Sequence, residues 1–336
     1  MKKKKYRILV TGADGFIGSH LTERLVKQGH QVSAFTFYNS FGLKGWLDYS
    51  NKKIRNKINF ISGDIRDNQA VRNAVKGVDI IYHLAALIGI PHSYTSAESY
   101  VDTNVKGTLN VLMAAREYNT KKIIHTSTSE VYGTAKFVPM TEDHPIIGQS
   151  PYSASKIAAD QLAISFYNSF NLPVTIIRPF NTFGPRQSGR AIIPTIISQY
   201  LKQSKSIKIG SLKPLRDFNY IEDTVNAFIS CIDAKKIEGE IINIGSGKDF
   251  SIGSILEIIS KYFNKSIKVK IDKKRIRPKK SEVLRLCSSN KKAKKLLNWN
   301  PGINSKKDFE RKIIKTIEWY KKNLHIFEIK SNDYNT

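Results

Sequence analysis

The sequence predicts an α/β protein: a doubly wound parallel sheet with a smaller C-terminal α/β domain. Three observations predict it. Strand-like and helix-like stretches alternate from Tyr6 to Arg178, and crossovers of that kind make neighbouring strands parallel. Gly12, Gly15 and Gly18 follow the first strand pattern at once. Beyond residue 180 the alternation weakens, yet no repeat or low-complexity linker sets off an independent module.

Tyr6 to Val10 is a buried-strand pattern, and Phe16 to about Lys27 a helix with Ile17, Leu21 and Leu25 on one face. The three glycines between them form a dinucleotide loop. The first allows a tight turn, the second lets backbone approach a pyrophosphate, and the third lets helix and strand pack closely. Helix N–H groups then face the phosphates. Asp14, Phe16 and Ile17 belong to the same cofactor loop. Gln31 to Thr36 is the second strand. At its end an acid normally binds the ribose diol, but Thr36 stands there and no arginine replaces it, so NAD and NADP are both open. Phe41 to Asn56 is an insertion, a loop plus a short helix. Ile58 to Ser62 is the third strand. Asp64 and Ile65 follow it at the expected adenine end, while Asp67 is the natural cap of the helix Gln69 to Lys76. Val78 to Leu84 is the fourth strand, and Leu84, Ala85 and Ala86 are small enough for a cofactor to lie close.

Ser96 to Tyr118 reads as one long helix with Asn104 on a buried turn, satisfying backbone groups. The fifth strand carries the polar cluster Thr126 to Glu130. A helix from Tyr152 to about Phe170 puts Tyr152 and Lys156 on one face. A lysine near a tyrosine favours the phenolate, which makes a base near neutral pH, and a hydroxyl at a strand end can share the proton. Pro173 to Arg178 is the sixth strand. Then come helices at Ile192 to Leu201 and Thr224 to Ile232, the latter capped by Glu222 and Asp223, and strands at Ser206 to Ile209, Leu215 to Ile221 and Glu240 to Ile244. Three further helices follow, Ser251 to Phe263, Lys291 to Leu297 and Lys307 to Lys322.

Composition narrows the function classes. The chain has 336 residues, 40% of them hydrophobic, enough for a substantial core. Two cysteines, Cys231 and Cys287, suggest neither a disulfide scaffold nor a metal site. A net charge of +27 invites nucleic acid, but the lysines are dispersed and form no arginine–aromatic stripe, so they read as a solvated surface that suits an anionic small substrate. There is no apolar run of membrane-spanning length and no signal peptide, which places the protein in the cytoplasm. His83 and His125 read as core hydrogen-bonding groups.

The glycine loop, the Tyr152/Lys156 pair and Arg178-Pro179-Phe180-Asn181 together resemble the extended short-chain dehydrogenase/reductase superfamily, in its NAD-dependent epimerase/dehydratase branch. The resemblance covers about residues 6 to 322. It implies a Rossmann-like cofactor domain over 1–180, joined by elements from about 215–245. It also implies a mainly nucleotide-sugar-binding domain over 181–322 and a polar tail over 323–336. Ser127-Thr128-Ser129-Glu130-Val131-Tyr132-Gly133 is similar to the sugar-nucleotide 4,6-dehydratases. In that family Thr128 assists the tyrosine and Glu130 removes the C5 proton. Ser129 replaces the aspartate that many members use to protonate the departing C6 hydroxyl. Tyr38-Asn39-Ser40-Phe41 and Asn181 to Gln187 resemble the LegB-type enzymes of legionaminic acid synthesis, whose substrate is a nucleotide-linked N-acetylglucosamine. The resemblance further implies a tightly bound NAD or NADP regenerated each cycle, and a diphosphate grip by Asn181, Arg186, Arg190, Arg216 and Arg277. A homodimer through a four-helix bundle near 96–118 and 152–170 is implied as well. The rival readings are a nucleotide-glucuronate decarboxylase, a 4-epimerase, and a nucleic-acid-binding protein on the same fold.

Overall fold

The computed structural model describes residues 4–326; the remainder of the expected polar tail lies outside the described residues. Twelve strands occur in it: β1 (Arg7–Thr11), β2 (Gln31–Phe37), β3 (Ile58–Gly63), β4 (Ile80–His83), β5 (Lys122–Thr126), β6 (Val174–Pro179), β7 (Asn181–Phe183), β8 (Ile207–Ile209), β9 (Leu215–Tyr220), β10 (Ile241–Ile244), β11 (Asp249–Ser251) and β12 (Val269–Ile271). Seven of them form one sheet in the order β10-β6-β5-β4-β1-β2-β3, with every neighbouring pair parallel. The strand order reverses at β1, and in open sheets of this kind ligands bind beyond the strand C-termini at that point. Two small sheets, β11-β9-β7 and β12-β8, lie in the C-terminal part.

Both faces of the large sheet are buried, as a parallel sheet requires. In β1, Ile8 and Val10 pack into one core and Leu9 into the other. β4 divides the same way, with Ile80 and Tyr82 on one side and Ile81 on the other. Twelve helices complete the layers: α1 (Phe16–Lys27), α2 (Lys52–Arg55), α3 (Asn68–Val75), α4 (Ile90–Ser93), α5 (Ala97–Tyr100), α6 (Gly107–Glu117), α7 (Pro151–Phe170), α8 (Ile192–Leu201), α9 (Ile221–Ser230), α10 (Ile252–Phe263), α11 (Lys291–Leu297) and α12 (Lys306–Lys322).

Local chemistry explains most boundaries. Asp67 accepts hydrogen bonds from the Gln69 and Ala70 N–H groups and starts α3. Ser150 and Ser153 form a reciprocal capping box ahead of Pro151, which fixes the start of α7. Asn171 ends α7 in the left-handed conformation. Two expectations need correction. The helix expected over 96–118 is α5 and α6 joined by a π-helical turn, Val101–Lys106. Asn104 sits on that turn and bonds both backbone groups of Leu87. Glu222 and Asp223 do not cap a helix from Thr224; α9 starts at Ile221, so both acids lie in its first turn, where they favour the positive end of the helix dipole.

Candidate active site

A cleft of about 960 Å³ opens over the C-terminal ends of the parallel strands, between the large sheet and the C-terminal part. One end is the glycine loop. Gly12 has φ +66°, and a Cβ there would stand 2.8 Å from the Ala85 nitrogen. A Cβ on Gly18 would stand 2.1 Å from the Gly12 carbonyl oxygen, so only glycine lets α1 pack this close to β1. No side chain caps α1, and Gly15, Phe16 and Ile17 line the cleft at its N-terminus. Backbone N–H groups at that end are free to meet an anion. The result is an open cradle of glycine backbone and uncapped helix end.

Asp14, Asp64, Ile65, Leu84, Ala85 and Ala86 line the same end. Asp64 is committed to Arg66, 2.6 Å away, and that pairing holds its carboxyl below the usual range. Burial pushes Asp14 up. Thr36 is fully buried and does not line the cleft; its neighbours Phe35 and Phe37 do. Alternate residues of a strand face opposite sides, so the position taken for ribose contact points away.

The centre of the cleft holds the polar cluster. β5 ends at Thr126, and Ser129–Tyr132 is a 3₁₀ turn that carries Ser129 and Glu130 into the cavity. The Thr128 hydroxyl accepts the Glu130 N–H at 3.2 Å, and it stands near enough to Tyr152 to favour the phenolate. Tyr152 and Lys156 both line the cleft from α7. The lysine reaches back to the end of β5. Its Nζ donates to the Thr126 carbonyl at 2.6 Å. Burial raises Tyr152, with the Glu130 charge adding to the rise and the Thr128 hydroxyl opposing it. Burial also lowers Lys156 to about 8, against the pull of Asp160.

Beneath this cluster lies a group that the sequence reading passed over. Asp160 is fully buried one turn beyond Lys156. It accepts from Arg178 Nε at 3.1 Å and Nη2 at 3.0 Å, and from Ser127 Oγ at 2.7 Å. His125 Nε2 lies 3.2 Å from its other oxygen. The i, i+4 spacing from Lys156 was the available signal. His83 is bonded to Thr11 and Thr108, a core role.

The far end is basic. Asn181, Arg190, Arg216 and Arg277 line it. Arg186 does not: it pairs with Glu23 at 2.8 Å and with Ser19, fastening the segment after β7 to α1. Arg216 is held by Glu282 at 3.3 Å, and Arg277 stands 3.8 Å from Glu130. Glu282 was also missed. It contacts Arg216 across 66 positions of sequence, with no local pattern to reveal it. Tyr38 to Phe41, which suggested a particular substrate, lie outside the cleft lining, and Phe41 is 85% exposed.

Comparison with known proteins places this cleft in context. A UDP-N-acetyl-alpha-D-glucosaminuronate decarboxylase of Bacillus cytotoxicus is 33% identical over 94% of this chain and 98% of its own length. A dTDP-D-glucose 4,6-dehydratase of Mus musculus is 33% identical over 95% of this chain and 90% of its own length. The crystal structure of a UDP-glucuronic acid 4-epimerase from Bacillus cereus, in complex with UDP-glucuronic acid and NAD, superposes with a TM-score of 0.85 at 30% identity. It covers 94% of this chain and 99% of that one. The model of the family described as GDP-mannose 4,6 dehydratase matches residues 9–311. From β1 into α12, then, the chain belongs to the GDP-mannose 4,6 dehydratase family, whose relatives modify nucleotide sugars.

Proposed function

We propose that this chain is an NAD(P)-dependent enzyme that transiently oxidises C4 of a nucleotide-linked sugar and restores its cofactor in each cycle. One observation carries the reading: Tyr152, with Thr128 beside it and Lys156 one helical turn on, shares a single cleft with the glycine cradle. The cradle fits a dinucleotide, because a Cβ on Gly12 or Gly18 would fill it and the N-terminus of α1 is uncapped. A nicotinamide held there supplies the hydride acceptor and donor. Tyr152 takes the C4 hydroxyl proton, Thr128 stabilises the phenolate, and Lys156 holds the ribose. Arg216 and Arg277 grip the diphosphate with Asn181 and Arg190 beside them, and guanidinium suits phosphate oxygens. NAD is the cofactor named with the Bacillus cereus structure.

The fate of the 4-ketone defines the reaction. In the first reading Glu130 removes the C5 proton, hydroxide leaves C6, and the resulting 5,6-alkene would take the hydride back at C6 and a proton at C5. The product is a 4-keto-6-deoxy sugar, from UDP- or GDP-N-acetylglucosamine if the LegB resemblance holds. The buried Ser129 is the hydroxyl beside Glu130 on that turn. In the second reading the substrate is a nucleotide-linked uronic acid that is decarboxylated or epimerised at C4. The relatives support this second reading better. The decarboxylase and the epimerase are matched over 98% and 99% of their lengths, the dehydratase over 90%. Nucleic-acid binding rests on the net charge of +27 alone. A homodimer through α6 and α7 fits the exposure of Val101, Met113 and Phe170 on these helices and the turn before them.

Incubation with a panel of UDP-, GDP- and dTDP-sugars, followed by product mass, tests the proposal. Loss of water means dehydration, loss of carbon dioxide from a uronic acid means decarboxylation, and an altered sugar of unchanged mass means epimerisation. No turnover of any of them overturns it. Under the dehydration reading, Glu130→Gln binds substrate but does not eliminate water; near-wild-type elimination removes Glu130 from that role.

A further inference from the structure

At the basic end of the cleft, two arginines face two carboxylates. Arg216 is 6% exposed, with Nη2 on Glu282 at 3.3 Å and Nη1 on its own neighbour's carbonyl, Leu215. Arg277 presents a buried Nη1 with no hydrogen-bond partner, 3.8 Å from Glu130. All four side chains line the cavity. They also feel one another: the charges of Glu130, Arg277 and Glu282 all act on Arg216. Two positive and two negative charges cancel. Each of these two arginines thus faces a carboxylate, while Arg190 lines the same end of the cleft.

The contacts are loose by the standard of this molecule. Arg178 makes two bonds to one carboxylate at 3.0 and 3.1 Å, whereas Arg216 has one contact to Glu282 and Arg277 has only an ion contact beyond hydrogen-bond length. A phosphate group accepts from a guanidinium in a two-pronged, charge-assisted geometry and outcompetes a single long contact. We propose that Glu282 and Glu130 are resident counter-ions, which a diphosphate displaces from Arg216 and Arg277. Glu282 then acts as a positioning residue. It holds a nearly buried guanidinium aimed into the cleft before ligand arrives, and it lowers the affinity for any anion by the cost of the exchange. This inference rests on the diphosphate grip proposed above and adds the competitor to it.

The test is calorimetric titration of the full chain with inorganic pyrophosphate and with UDP, at fixed ionic strength. Glu282→Gln keeps the shape of the side chain and removes its charge. It should tighten both ligands by about five- to tenfold, on the scale of one ordinary hydrogen bond. In an Arg216→Gln background the same change should have no effect, because the competitor then has nothing to hold. Glu282→Ala, with the melting temperature as a check on folding, serves if the glutamine variant rebonds to Arg216. Unchanged or weaker binding by both variants overturns the proposal. So does equal tightening with and without Arg216, which would mark a general charge effect. Pyrophosphate or UDP binding by the wild type without any tightening removes the inference but leaves the diphosphate grip. Binding of neither ligand to any variant removes both.

Discussion

Arg178 and Arg216 belong to the two halves of this site and are paired in opposite ways. Arg178 lies in β6 under the polar cluster, fully buried. It forks onto Asp160 and also donates to Tyr132 at 2.9 Å. Its charge is consumed by the fold. Arg216 lies in β9 at the cavity wall and touches Glu282 once. Its charge remains available to a ligand. The difference teaches where structure ends and chemistry begins. Below Tyr152 the Arg178–Asp160 pair has short, multiple, desolvated bonds; at the cavity wall the carboxylate contacts of Arg216 and Arg277 are single and long.

The largest effect should come from breaking the lower pair. Asp160→Asn leaves Arg178 charged, buried and unmatched, and removes the one group that raises Lys156. We expect a loss of about 3–5 kcal/mol in unfolding free energy by denaturant titration. A loss below about 1 kcal/mol would erase the distinction between the two arginines. Next, Gly18→Ala forces a Cβ against a backbone carbonyl that no rotamer change can clear. About 1–3 kcal/mol of destabilisation is expected, with loss of dinucleotide affinity measured by equilibrium binding. Asp67→Ala removes only the cap of α3, so it should cost about 1 kcal/mol and leave cofactor binding intact. A matching loss of cofactor affinity there would mean that the glycine-loop end is not the separate, rigid cradle described.

The pH dependence separates the halves as well. Burial holds Lys156 at about 8 in the folded protein, below its ordinary value of 10.5. The folded state therefore gives up that proton before the unfolded state does. Folding is penalised by this group below about pH 8, and the penalty is relieved as pH rises from there toward 10.5. Lys156→Met should flatten that part of the stability–pH curve; an unchanged curve would show that Lys156 is not the group titrating.

How much of this was legible in the sequence follows the same divide. The glycine cradle, the cap Asp67 and the Tyr152/Lys156 pair come from contiguous strand, turn and helix, so spacing alone places them. Thr36 failed because strand alternation turns it into the core while Phe35 and Phe37 take the cleft. Arg186 failed because Glu23, 163 positions away, captures it. Glu282 depends on a pairing across 66 positions, which no local pattern encodes; the Asp160–Arg178 fork joins consecutive elements, and only the spacing from Lys156 pointed to Asp160. The lowered Tyr152 expected from its lysine neighbour failed for a physical reason too. Burial outweighs a charge that is already spent on the Thr126 carbonyl.

The central claim is that Tyr152 starts a reversible C4 oxidation of a nucleotide sugar. The most direct measurement is single-turnover absorbance of reduced nicotinamide when the turned-over sugar nucleotide is added to the NAD-loaded wild type and to Tyr152→Phe. The account predicts a transient rise and decay in the wild type, and a rate at least about 10²-fold lower in the variant at an unchanged melting temperature. Product formation by Tyr152→Phe at the wild-type rate, or turnover by the wild type with no reduced nicotinamide at any time, would contradict it.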